Sequence, residues 1–165
     1  MQIVTFLSQI CILKHMKVQF LGTASSFPTR ERSHTSILLR YGPEAILFDC
    51  GEGTQRQLRI AGESPMKITK IFITHWHGDH VLGLPGLLES MAMNNRTDPL
   101  EIFGPGGTKE SIKYLFQALH IRPNFKLSVH EVDTRTSKLA INTKDYAVQV
   151  QFLKHRIPCL AYSFK

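Results

Sequence analysis

At 165 residues the chain is long enough for one buried core, and 42% hydrophobic with 20% charged residues is ordinary globular composition, which excludes a disordered or low-complexity chain. A formal charge of +7 and a pI near 9.5 favour a polyanionic partner, although charge alone leaves nucleic acid and a merely basic surface equally open.

Residues 1–13 are apolar, but they have no positively charged start and no small-residue cleavage site, and the run is too short to span a bilayer. Residues 17–21 read as a strand. Residues 22–33, rich in Ser and Thr around Pro28, read as a loop. Residues 36–41 and 45–48 read as strands joined at Gly42-Pro43, a hairpin signal. Residues 54–61 look helical and stop at Gly62. A strand over 70–73 feeds a His-rich loop, and 85–93 is an apolar helix in which Met91 and Met93 are read as packing. Residues 100–103 form a strand, and Gly104-Pro105-Gly106-Gly107 a turn. A helix over 108–119 carries an apolar stripe at Ile112, Leu115, Phe116 and Leu119. Strands at 126–132, 139–142, 146–152 and 160–164 complete the chain, with no internal repeat and no linker.

The chemistry is concentrated in residues 75–80, His-Trp-His-Gly-Asp-His. Three imidazoles and a carboxylate in six residues are costly to gather without something to bind them. Nitrogen and carboxylate oxygen at this density suit zinc, with manganese or iron as second choices. In an extended segment side chains two apart share a side, so His75 and His77 can converge on one ion. Gly78 permits a sharp turn that aims Asp79 and His80 at a second. Trp76 should point away and pack. A metal-dependent hydrolase is the reaction class this pattern favours.

Beyond that loop, the runs Phe20-Leu21-Gly22-Thr23, Phe48-Asp49-Cys50-Gly51-Glu52-Gly53-Thr54-Gln55, Ile71-Phe72-Ile73-Thr74 and Gly83-Leu84-Pro85-Gly86-Leu87-Leu88 together resemble ribonuclease Z. This is the tRNA 3′-end-processing endonuclease family of the metallo-β-lactamase superfamily. The His-x-His-x-Asp-His pattern is specific only to the superfamily; the Gly-Glu-Gly-Thr-Gln and Gly-Leu-Pro-Gly-Leu stretches narrow it. Read alone, His155 is a strand-end surface residue. Within the resemblance, 152–158 matches the family's next metal motif and makes His155 a ligand. The likeness starts near Met16, so 16–165 is expected to be the domain, with Met16 the natural start and 1–15 an extension outside the core.

The resemblance implies an α/β fold, the αββα sandwich, of which this length covers roughly the N-terminal half. It implies zinc, two ions per active site in the family, and a cytoplasmic endoribonuclease that removes the 3′ trailer from tRNA precursors and leaves a 3′-hydroxyl. Asp79 would bind a metal and orient or deprotonate the attacking water. The family's bridging aspartate and later histidines lie beyond the positions matched here. His75, His77 and His155 therefore give one strong site, while Asp79 and His80 give a weak one. Half a sandwich is expected to leave an apolar sheet face open, which argues for a homodimer or a partner chain supplying the rest. Arg30, Arg32, Arg56 and Arg59 are candidate phosphate contacts, each individually also an ordinary solvated residue. Three cysteines without paired spacing argue for a reducing compartment. Cys50 and Cys159 read as small buried residues, a zinc role for Cys50 being the lesser alternative. Two other functions stay open: a metal-binding remnant without activity, and another superfamily hydrolase acting on small phosphodiesters or esters.

Overall fold

The apolar runs predicted as strands from 17–21 to 126–132, joined by an unpredicted strand at 10–13, assemble into one seven-stranded sheet in strict chain order. In the computed structural model, which describes residues 10–13, 16–133 and 138–165, the strands are β1 (Ile10–Leu13), β2 (Met16–Gly22), β3 (Ser36–Tyr41), β4 (Glu44–Phe48), β5 (Ile68–Phe72), β6 (Leu100–Gly104) and β7 (Leu127–Glu131). The first four form an antiparallel meander, with β1 pairing on the edge of β2; β4 to β7 run parallel. Parallel neighbours need crossovers. These are α1 (Thr54–Ile60), then α2 (Gly78–Val81) with α3 (Leu84–Met93), then α4 (Thr108–Leu119).

Alternation along the central strands divides the core in two. Leu47, Ile71 and Ile102 face the helices, where they meet Leu58, Leu84, Leu87, Leu88, Met91 and Ile112. Ile46, Phe72 and Phe103 face the other way, onto a second, antiparallel sheet of β8 (Leu139–Asn142), β9 (Ala147–Leu153) and β10 (Cys159–Phe164). Strands covered on both faces read as continuous apolar runs, as 45–48 and 71–73 do. Within the inter-sheet core Phe48, Phe72 and Phe103 stack in a row, with centroids 5.2 and 4.8 Å apart, and Tyr162 sets its edge on Phe72. Burying a ring such as that of Phe72 stabilises the fold by about 1.5–3 kcal/mol.

Arg96 is the largest fully buried side chain, 2% exposed. Its guanidinium donates to the carbonyls of Met66, Ile68, Asp98 and Pro99, so a single side chain ties the entry of β5 to the entry of β6. An always-charged group is tolerated there because four of its five N–H donors are satisfied by carbonyls.

The layers are helices, sheet, sheet. Four expectations change. The sheet face expected to be open is covered, because Val148, Val150, Leu160 and Tyr162 pack onto it; the second sheet turns Gln149 and Gln151 the other way. Exposed apolar side chains remain only at its periphery, at Leu139, Phe152 and Leu153. Gly78 adopts no left-handed conformation: it opens α2, and the helical turn rather than a glycine kink orients Asp79 and His80. Met93 is 83% exposed at the end of α3 and packs on nothing, whereas Met91 is buried. Leu119 likewise ends α4 exposed, because the stripe drifts off the sheet there.

Candidate metal centre

The His-rich loop leaves the C-terminal end of β5, the end at which parallel α/β sheets build their sites. The second sheet is fastened to the same point: Leu160 N–H donates to Thr74 carbonyl at 2.9 Å and Tyr162 hydroxyl to Ile73 carbonyl at 2.9 Å. That attachment carries the β9–β10 turn, with His155, over His75 and His77. The three residues bring one nitrogen each to within 4.8 Å of one another. His155 Nε2 and His77 Nδ1 are 3.2 Å apart. Two nitrogens on one tetrahedral zinc at 2.0–2.1 Å stand about 3.3 Å apart, so the donor set and spacing fit a single divalent ion. His75 is buried, His77 half-buried and His155 exposed, which leaves one side of the cluster open.

Asp79 and His80 sit beside this trio. His80 Nε2 lies 3.6 Å from Asp79 Oδ2, and the His75 and His80 rings are 4.1 Å apart. The pair offers two donor atoms to a second position next to the first, short of the three protein ligands a catalytic ion takes. Burial pushes the Asp79 carboxyl up, but the Ser26 N–H, donating at 3.0 Å, and the His80 ring outweigh this and hold it below the usual carboxylate range.

Asp49, which the sequence reading quoted only as part of a motif, organises the ligands from behind. It is buried at the end of β4 with a left-handed φ of 57°. Its carboxylate accepts from Thr74 N–H at 2.7 Å and Thr74 hydroxyl at 2.8 Å, and meets His80 Nδ1 at 2.7 Å. An acceptor-only carboxylate makes Nδ1 of His80 the donor and leaves Nε2 free to bind. The Thr74 hydroxyl proton is spent on Asp49, so Thr74 Oγ1 accepts from His75 Nδ1 at 3.0 Å, which frees Nε2 of His75 as well. The signal for Asp49 was available: an acid directly after an apolar strand that neighbours the ligand-bearing strand.

Burial, with the crowding of His80, His77 and His155, pushes the His75 imidazole down to about 4. His75 therefore presents a neutral, ligand-competent nitrogen at neutral pH. Burial pushes the Cys50 thiol up to about 12, as in a small core residue. Cys50 and Cys159 are both buried and free. Arg30, Arg32, Arg56 and Arg59 are exposed.

The two glycine-rich stretches support the loop rather than the chemistry. A Cβ on Gly51 would lie 2.3 Å from the Asp79 carbonyl oxygen, and one on Gly83 would lie 2.1 Å from the Gly51 carbonyl oxygen. Gly83 N–H donates to Cys50 carbonyl, and Gln55 on α1 bonds Ser90 on α3. Residues 50–55 and 83–90 thus interlock at van der Waals distance, and the ligand loop is clamped between them.

A family model described as Anti-Pycsar protein Apyc1 matches residues 16–152. Ribonuclease Z of Methanococcus aeolicus is 45% identical over 150 residues, 91% of this chain and 47% of that protein; ribonuclease Z of Methanothermobacter thermautotrophicus is 47% identical over 91% of this chain and 48% of its own length. The chain thus spans about half the length of the curated relatives it matches. The crystal structure of human tRNase Z, short form, superposes with a TM-score of 0.82 at 36% identity, covering 90% of this chain and 64% of that one. At 20% identity and TM-score 0.70 over 91% of this chain and 58% of the other, the metallo-β-lactamase fold protein YhfI from Bacillus subtilis shares the fold.

Proposed function

Because the chain belongs to the family described as Anti-Pycsar protein Apyc1 and is a relative of ribonuclease Z with the metallo-β-lactamase fold, we propose that it serves tRNA processing as a zinc-dependent endoribonuclease. The reaction removes the 3′ trailer of a tRNA precursor and leaves a 3′-hydroxyl on the tRNA. The observation that carries this is the convergence of His75, His77 and His155, joined from two different sheets, beside Asp79 and His80.

His75, His77 and His155 would hold a first zinc ion, and Asp79 with His80 would contribute to a second. Zinc bound there would lower the pKa of water and offset charge on the transition state. The chain's own contribution is orientation. Asp49 fixes the tautomers of His80 and, through Thr74, of His75. The Ser26 N–H keeps Asp79 ionised and aimed at the site, where its free oxygen can hold the attacking water and take its proton. The basic surface supplies non-specific attraction for RNA that weakens steeply with salt. Groups from a second copy or a partner chain complete the Asp79–His80 position. A reducing, cytoplasmic setting is supported by two buried free thiols; among the described residues no helix is long and apolar enough to cross a membrane. Residues 16–165 form the working domain.

The test is incubation of the purified chain with a 3′-extended tRNA precursor. Endonucleolytic cleavage to a 3′-hydroxyl tRNA, abolished by EDTA and restored by zinc, is expected. Metal-dependent turnover of bis-p-nitrophenyl phosphate, insensitive to salt and without RNA binding, would instead select a small-phosphodiester hydrolase.

A further inference from the structure

The loop after β2 ends in an apolar side chain that the fold does not use. Phe27 is 82% exposed, among the most exposed large apolar residues described. Isolated exposed apolar residues are ordinary and need no account. Phe27 differs in where it is held. Its neighbour Ser26, in a left-handed conformation with φ of 61°, donates its N–H to Asp79 at 3.0 Å. The aromatic ring is therefore one residue from the group that binds a candidate metal-site carboxylate.

The loop is also built to be stiff. Phe27 N–H donates to Ser25 carbonyl at 2.8 Å, and Thr29 N–H to Arg32 carbonyl at 2.9 Å. Thr29 hydroxyl accepts from the N–H groups of Glu31 and Arg32. Ala24 N–H donates to Ser33 carbonyl, which closes the base. Pro28 fixes φ directly after the ring. Such a loop presents Phe27 without the ordering cost that a mobile side chain would add on binding. Arg30 and Arg32 follow within five residues, both exposed. Leu82, 57% exposed, ends α2 three residues after Asp79.

An exposed aromatic ring with two exposed arginines in the same stiff loop, beside the candidate metal centre, matches one ligand chemistry. Unpaired nucleobases stack on aromatic faces while adjacent arginines take the phosphates. We propose that Phe27 stacks on an unpaired nucleobase next to the scissile phosphate, so that the 22–33 loop selects substrates whose cut site is single-stranded. The inference rests on the ribonuclease reading above and adds to it a residue and a substrate feature.

The experiment measures binding of the intact chain, loaded with zinc, to a fluorescein-labelled oligoribonucleotide by anisotropy, with an abasic version as the second probe. Wild type is expected to bind the ordinary oligonucleotide more tightly than the abasic one. Phe27→Ala should weaken binding of the ordinary one roughly 5- to 150-fold and leave the abasic one unchanged. Phe27→Trp should retain or tighten it. Arg30→Ala with Arg32→Ala should weaken both probes alike and flatten the salt dependence. Wild-type binding with equal affinity for Phe27→Ala, or a Phe27→Ala loss of equal size on both probes, overturns the stacking role while the ribonuclease reading stands. No RNA binding by wild type at low salt overturns both. A circular-dichroism melt unchanged in Phe27→Ala is expected, since the ring buries nothing.

Discussion

Asp49 is 3% exposed, and three donors converge on it: Thr74 N–H, the Thr74 hydroxyl and His80 Nδ1, all within 2.8 Å. Asp49→Ala strands all three. Removing one member of a buried charged network costs about 3–5 kcal/mol, less than the sum of three charge-assisted bonds because they act as a unit. Asp49→Asn is the more informative change. Its amide oxygen still accepts from Thr74 N–H, but its NH₂ now faces His80 Nδ1, which must accept. The His80 proton then moves to Nε2, the atom that faces Asp79. The expected stability loss is about 1–2 kcal/mol by urea denaturation of the metal-free chain, with metal affinity falling roughly 10- to 100-fold. Long-range imidazole ¹⁵N spectra report the tautomer directly: Nδ1–H for His80 in wild type, Nε2–H in Asp49→Asn. A His80 tautomer that does not change, or an Asp49→Ala as stable as wild type, refutes the orienting role.

His155 is exposed and packs against the His75 and His77 rings rather than into the core, so His155→Ala should leave the stability of the metal-free chain within about 0.5 kcal/mol while removing most of the thermal shift that zinc confers; differential scanning fluorimetry with and without zinc checks it. Gly51→Ala puts a methyl 2.3 Å from the Asp79 carbonyl oxygen and should cost about 1–3 kcal/mol or more, whereas Gly106→Ala, with nothing within 4 Å of its Cβ, should be near neutral; paired denaturation curves compare them. Glu44 is half-buried against Tyr146 and Lys70. Burial raises its carboxyl, but the hydrogen bonds from Tyr146 and Lys70, with the lysine charge, outweigh this and hold it below the usual range. Because the folded form holds the proton less tightly than the unfolded, this stabilisation is present above about pH 4.5 and is lost as pH falls through the lower folded value. Glu44→Gln should flatten that part of the acid limb, read from denaturation midpoints between pH 6 and 3; an unchanged acid limb would refute it.

Much of the fold was legible because the central strands are covered on both faces and so read as unbroken apolar runs, bounded by Gly42-Pro43, Gly62 and 104–107. The 108–119 helix is legible end to end because its 3.6-residue period is strong. What escaped has a physical cause in each case. Gly78–Val81 is four residues, too short to show a period, so its glycine was taken for a kink. Strand 10–13 is an edge whose pairing depends on β2 rather than on its own pattern. The covering of the sheet by β9 and β10 was not legible because periodicity marks Val148 and Val150 as one face without saying what that face meets. The ligand loop announced itself through residue type, but Asp49 meets it from 25 to 31 residues away, across two parallel strand ends. Chain order does not display such contacts.

On the proposed function, His75, His77 and His155 form one strong metal site and Asp79 with His80 a second, incomplete one. Calorimetric titration of zinc into the EDTA-stripped, dialysed chain tests it most directly. One equivalent bound tightly, with any second equivalent at least 100-fold weaker and the tight step absent in His77→Ala, is the predicted result. Two equivalents of equal affinity, or a tight step that survives His77→Ala, would contradict it.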